Sequence, residues 1–208
     1  MYILRFLEPL VTLIVLILFF RQRKASILWY YLLISFVVDV ATIVMRRVLY
    51  IPNYEKLSAI FVLVEFIIFL YYFYRWKMIS KQWFIGLSIV CGSLYAVGLF
   101  GARFHHISDS FLHSLMLIPQ LSISLYSFYK LMRDSEYSSI TNLSFFWGNT
   151  AIFIYTSCSF LLRLSQNYIE NNYPLQVQKS IFLFFLLFVM IKTVLMGVGL
   201  SKTKANAN

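Results

Sequence analysis

Acid is scarce in this chain. Eight Asp and Glu stand against eighteen Lys and Arg in 208 residues, and charged side chains of both signs make up only 12%. Cysteine, proline and glycine are also few, at two, four and seven. Cys91 and Cys158 both fall inside apolar runs without metal-ligand spacing, so they read as small core residues and define neither a disulfide framework nor a zinc site. No Gly-Xaa-Ser-Xaa-Gly elbow, nucleotide-binding Gly-rich loop or Ser/His/Asp order is present. The histidines are His105, His106 and His113. The first two share a connection with Asp109, where solvated side chains are commoner than a metal site, and zinc-dependent intramembrane hydrolysis needs histidines on several helices, the last included, which has none. No metal, no cofactor and no catalytic residue is therefore expected.

What fills the chain is apolar: 61% hydrophobic and 19% aromatic. The hydrophobic residues gather into seven runs, near 2–20, 26–45, 57–74, 82–100, 111–129, 145–162 and 180–200, each close to the roughly twenty residues that a helix needs to cross hydrocarbon. They lack the alternation of a lipid-facing barrel. The expectation is an all-α polytopic transmembrane bundle of about seven spans, one integral membrane domain over 1–208, with no room for a soluble domain. The first run is not read as a cleavable signal, because its basic cluster Arg21, Arg23, Lys24 follows the apolar stretch and no small-residue cleavage site comes after it.

The net charge of +10 would suggest nucleic acid in a soluble protein. Here Lys and Arg cluster at the ends of apolar runs, so the partner they meet is the lipid bilayer and no nucleic-acid binding is expected. With the N-terminus outside, one side receives Arg21, Arg23, Lys24, Arg75, Lys77, Lys81, Lys130, Arg133, Lys202 and Lys204. The other receives Arg5, Arg46, Arg47, Lys56, Arg103, Arg163 and Lys179. Ten against seven favours a cytoplasmic C-terminus in the cytoplasmic membrane of a bacterium.

This orientation assigns depth to the polar residues. Glu8, Asp39 and Glu65 all fall in the outer half of their runs, Asp39 about 10 Å below the outer end at 1.5 Å per residue. An isolated carboxylate costs several kcal/mol in lipid, so each is expected to point inward, and three acids at one depth suggest a shared polar cavity open to the outside. Helical spacing agrees: Ser35, Asp39, Thr42 and Arg46 form one stripe, His113, Gln120, Ser124 and Ser127 a second beside Pro119, and Asn149, Thr156, Ser159 and Arg163 a third. Isolated Ser and Thr at such positions more often glue helices together. Lys192 stands about 18 Å below the outer end of the last run, too far from Lys202, roughly 15 Å on, for easy snorkelling. A helical side chain leans toward its own N-terminus, so the ammonium should rise toward Glu65 or Asp39.

A lysine in the seventh span and an acid in the third resemble the retinal lysine and counter-ion of rhodopsins. The aspartate that microbial rhodopsins carry one turn before that lysine is Phe188 here, and the sixth span, reading Phe-Phe-Trp-Gly-Asn-Thr, contains no proline, so retinal is not expected. Most of the chain resembles uncharacterised bacterial seven-helix membrane proteins with an acid in the third span, here Val64-Glu65-Phe66, and an aromatic sixth span, here Phe146, Trp147 and Tyr155. That resemblance implies a companion of sensor kinases. The expected site comprises Asp39, Glu65, His113, Gln120, Asn149 and Lys192, with Arg46 near its mouth and Arg163 on the stripe of the sixth run. The expected role is reception of a small molecule or of the membrane state, passed to a signalling partner, with small-solute or proton-coupled transport as the competitor.

Overall fold

The computed structural model describes residues 6–22, 26–47, 49–50, 55–100, 109–134 and 140–203, and regular structure among them is entirely helical. Seven α-helices follow the seven apolar runs: α1 (Leu7–Leu18), α2 (Ile27–Arg47), α3 (Glu55–Arg75), α4 (Lys81–Phe100), α5 (Asp109–Asp134), α6 (Ser144–Asn172) and α7 (Leu175–Thr203). Three of them, α2 over Ile27–Arg46, α6 over Ser144–Gln166 and the whole of α7, are long and apolar enough to cross a membrane. α1 is shorter than its apolar run, at 12 residues, and passes through Phe19 into a 3-10 turn at Phe20–Gln22.

Successive helices pack side by side, and α7 returns against α1 to close a ring, with α6 making its most extensive contacts to α5 and α7. The outer faces keep large apolar side chains exposed, among them Leu13, Ile17, Ile89, Leu94, Leu125 and Phe184. In water such a surface would aggregate, whereas hydrocarbon solvates it.

The ends of α1, α3, α5 and α7 meet the starts of α2, α4 and α6. At this end the Trp29 indole donates to the Leu16 carbonyl (3.3 Å), Phe84 stacks on Tyr74, and Phe145 stacks on Tyr72 with ring centroids 5.5 Å apart. Glycine makes the approach possible. A Cβ on Gly148 would collide with the Tyr72 ring, and one on Gly199 would lie 3.2 Å from the Ser144 carbonyl oxygen. Ser144 Oγ uses that closeness to donate to the Gly199 carbonyl at 2.7 Å. We call this the closed end.

α3 stops here in a tight turn. Met78 N–H donates to the Phe73 carbonyl and Lys77 N–H to the Tyr74 carbonyl, the paired bonds of a Schellman cap, with Lys77 itself left-handed at φ 56°. The side chain of Lys130, arriving on α5, donates to the Lys77 carbonyl at 3.0 Å.

The opposite end corrects the sequence reading. The sixth and seventh runs were bounded at 162 and 180, with a polar connection between. Instead α6 continues as helix to Asn172 and α7 begins at Leu175. The whole connection is Tyr173-Pro174. Tyr173 is extended (φ −120°, ψ 144°), as a residue before proline prefers, and the fixed φ of Pro174 leads directly into α7. Arg163 and Lys179, expected in an outer connection, are therefore both helical. Hydropathy ends where polar residues begin, but Arg163, Leu164, Gln166 and Glu170 are good helix formers and sustain helix beyond that point.

Candidate functional site

α7 brings Lys192 into the centre of the ring, where it is 3% exposed. Its ammonium donates to the Tyr31 hydroxyl oxygen at 2.6 Å and lies 3.6 Å from Glu65 Oε1. The Tyr31 hydroxyl in turn donates to Glu65 Oε1 at 2.5 Å, and the Tyr155 hydroxyl donates to Glu65 Oε2 at 3.2 Å. The ammonium also rests over the Tyr155 ring, 3.9 Å from its centroid. Four helices thus meet in one polar junction: α2 through Tyr31, α3 through Glu65, α6 through Tyr155 and α7 through Lys192. Every carboxylate oxygen has a donor, and the ammonium has a hydroxyl, a π-face and a counter-charge, which is what a buried pair needs to persist in a low-dielectric core.

The pairing of Lys192 with Glu65 follows the sequence expectation. Asp39 stands further out, half-buried, within Coulombic range of Lys192, Glu65 and Glu8. Glu65 is thus the carboxylate in contact with the ammonium, while Asp39 and Glu8 both feel its charge. Asp39 Oδ2 and Thr42 Oγ1, three residues apart on the same stripe, are buried with no hydrogen-bond partner.

The other predicted residues do not share one place. Asn149 is held in a clasp: Ser124 Oγ donates to its Oδ1 at 2.6 Å and its amide donates to the Ser124 carbonyl at 3.1 Å, a fully buried contact between α5 and α6. Gln120 and His113 are buried on α5, with Gln120 Oε1 and His113 Nε2 unpartnered and His113 within Coulombic range of Arg163. Pro119 sits inside α5 without ending it. Arg46 closes the α2 stripe as an exposed residue. His105 and His106 lie outside the described residues, and no group of three His, Cys, Asp or Glu suited to a metal occurs among those described.

Arg163 opens the second feature. The helical extensions of α6 and α7 flank a cavity of about 300 Å³. Its polar side is Ser159, Arg163, Gln166, Glu170 and Gln178; its apolar side includes Leu162, Ile181, Phe182 and Phe185. Arg163 Nη1 donates to Gln166 Oε1 at 3.1 Å and the Gln166 amide to Glu170 Oε1 at 2.7 Å, while the Gln178 amide fastens the helix turn by donating to the Glu170 and Tyr173 carbonyls. The Phe185 ring meets the Tyr155 ring 6.3 Å between centroids. The cavity is thus one aromatic contact from the polar junction. Of the eight residues singled out by sequence, Arg163 alone lines it.

Tyr31 and Tyr155 had no assigned role from sequence. Both carried a signal nonetheless. Tyr31 extends the Ser35, Asp39, Thr42, Arg46 stripe by one turn, and Tyr155, Ser159, Arg163, Gln166 and Glu170 follow one another at helical spacings of four, four, three and four. A tyrosine in an apolar run adds to its hydropathy and so conceals its hydroxyl. No protein family, characterised protein or solved structure matches this chain.

Proposed function

We propose that this chain is a seven-span receptor of the bacterial cytoplasmic membrane, with its closed end and C-terminus cytoplasmic, that senses a small molecule or the membrane state and signals through a partner protein. The reading is carried by the Glu65–Lys192 junction. A fully partnered ion pair that ties four helices together has discrete arrangements, paired or parted, and so couples an event at one end of the ring to helix packing at the other. Membrane insertion is supported by the three long apolar helices and the apolar outer faces. Orientation is supported by Arg75, Lys77, Lys81, Lys130, Arg133 and Lys202 at the closed end. The connections between helices at that end are short, which assigns the output to a partner. The resemblance to membrane companions of sensor kinases points the same way.

Proton-coupled transport is the second reading, favoured by the Glu65 carboxylate in contact with Lys192, by Asp39 and Glu8 within reach of its charge, and by the unpartnered Asp39 Oδ2 and Thr42 Oγ1. The two part in proteoliposomes. A receptor leaves an imposed proton gradient as long-lived as in empty liposomes and co-purifies with a signalling protein whose retention changes in Glu65→Gln. Protein-dependent collapse of the gradient, lost in Asp39→Asn, would replace reception by transport. A reporter fused after Asn208 should be active on the cytoplasmic side; periplasmic activity would reverse the orientation.

A further inference from the structure

The cavity between the α6 and α7 extensions holds a cation that is linked to its acid, Glu170, only through the Gln166 amide. Arg163 is half-buried, its hydrogen bond goes to the neutral Gln166 amide, and no ion pair joins it to a described carboxylate. Glu170, the acid nearest in the stripe, lies two turns further on and accepts from Gln166 instead. A guanidinium fixed this way keeps donors for a bidentate anion. One turn deeper, Ser159 is 2% exposed, lines the same cavity, and its hydroxyl has no partner. A buried unsatisfied hydroxyl beside a cation without a direct ion pair is unfavourable unless something completes both. The lining also includes the apolar and aromatic side chains of Leu162, Ile181, Phe182 and Phe185. A volume near 300 Å³ is at the lower end of small-molecule sites.

From this arrangement we infer that the α6–α7 cavity binds a small acidic amphiphile, its carboxylate or phosphate held by Arg163 above Ser159 and its apolar body lying on Phe182 and Phe185. The inference rests on the receptor reading for its purpose, since the occupant would press on Phe185 and through it on Tyr155, which holds Glu65. Two sources share this chemistry: a free organic acid and the headgroup of an anionic lipid entering between the helices.

Binding is measured on the purified full chain in uncharged maltoside micelles with matched probes. Octanoate is compared with octanol and octylammonium, and phosphatidate with diacylglycerol. An anion preference of about tenfold or more is expected in one of the two sets, octanoate indicating a free acid and phosphatidate a lipid. Arg163→Gln should erase the preference, Arg163→Lys should retain part of it, and Ser159→Ala should weaken binding a few fold without changing charge selectivity. Equal binding of anionic, neutral and cationic probes by the wild-type protein overturns the proposal, as does a preference that survives in monodisperse Arg163→Gln. If Arg163→Gln does not fold, the wild-type selectivity and Arg163→Lys decide. Transport of the bound acid into proteoliposomes would keep the site and remove the receptor reading; loss of anion preference with gradients still intact would do the reverse.

Discussion

The closed end and the opposite, open end of the ring are built from the same seven helices by opposite means. At the closed end, Gly148 and Gly199 let backbones approach, aromatic rings of Tyr72, Phe73, Trp76 and Phe145 pack against one another, and polar groups make local bonds such as Ser144 to Gly199 and Tyr72 to Phe145. At the open end several buried polar atoms, among them Asp39 Oδ2, His113 Nε2 and Ser159 Oγ, have no partner, and the cavity between α6 and α7 carries Arg163, Gln166 and Glu170 on its lining. The first arrangement brings backbones and rings into direct contact, and the cavity of about 610 Å³ that it leaves between the α3–α4 turn, α4 and α5 is lined mostly by apolar side chains such as Met78, Trp83 and Leu87. The second retains space and unsatisfied polar atoms, the ingredients of binding. The Glu65–Lys192 junction lies between them, where a disturbance at the open end meets the rigid end.

The largest expected effect breaks the junction itself. Lys192→Met or Glu65→Gln leaves the remaining member buried without its counter-charge, at a cost of about 3 to 5 kcal/mol, whereas the double replacement should be milder than either alone. Unfolding of the detergent-solubilised protein reports this; additive losses in the double variant would show that the pair is not coupled. Asp134→Asn is the control, because Asp134 pairs with Arg133 on an exposed surface and its loss should leave stability unchanged.

A smaller effect is expected where the closed end is tightest. Gly148→Ala places a methyl against the Tyr72 ring and Leu28, so Tyr72 must shift and its bond to the Phe145 carbonyl weakens, costing about 1 to 3 kcal/mol. The same exchange at Gly92, whose nearest neighbour would be Leu63 Cδ1 at 3.6 Å, should be tolerated. Equal losses at Gly92 and Gly148, read by thermal unfolding, would mean that close approach is not what Gly148 provides.

The smallest is a gain. Lys77 occupies the left-handed cap position that favours glycine, and Lys130 contacts its backbone carbonyl rather than its side chain. Lys77→Gly should therefore raise stability by about 1 kcal/mol. A decrease would show that the Lys77 side chain contributes more than the strain it imposes.

Sequence by itself determined the centres of the seven α-helices found among the described residues, because long apolar runs without strand alternation favour helix. It also identified Lys192 and Glu65, since a charge inside such a run demands a partner. Tertiary structure decided the rest. That Glu65 rather than Asp39 takes the ammonium depends on how α3 and α7 face each other, and that Asn149 is spent on Ser124 depends on the α5–α6 contact. The true lengths of α6 and α7 were also hidden: hydropathy measures which residues prefer hydrocarbon, while helix continues as long as backbone bonds and propensity sustain it. The cavity beside Arg163 exists because those two extensions run past the apolar segments before turning at Tyr173 and Pro174. Spacing along one chain places residues on a face; which face meets which is settled only when the helices pack.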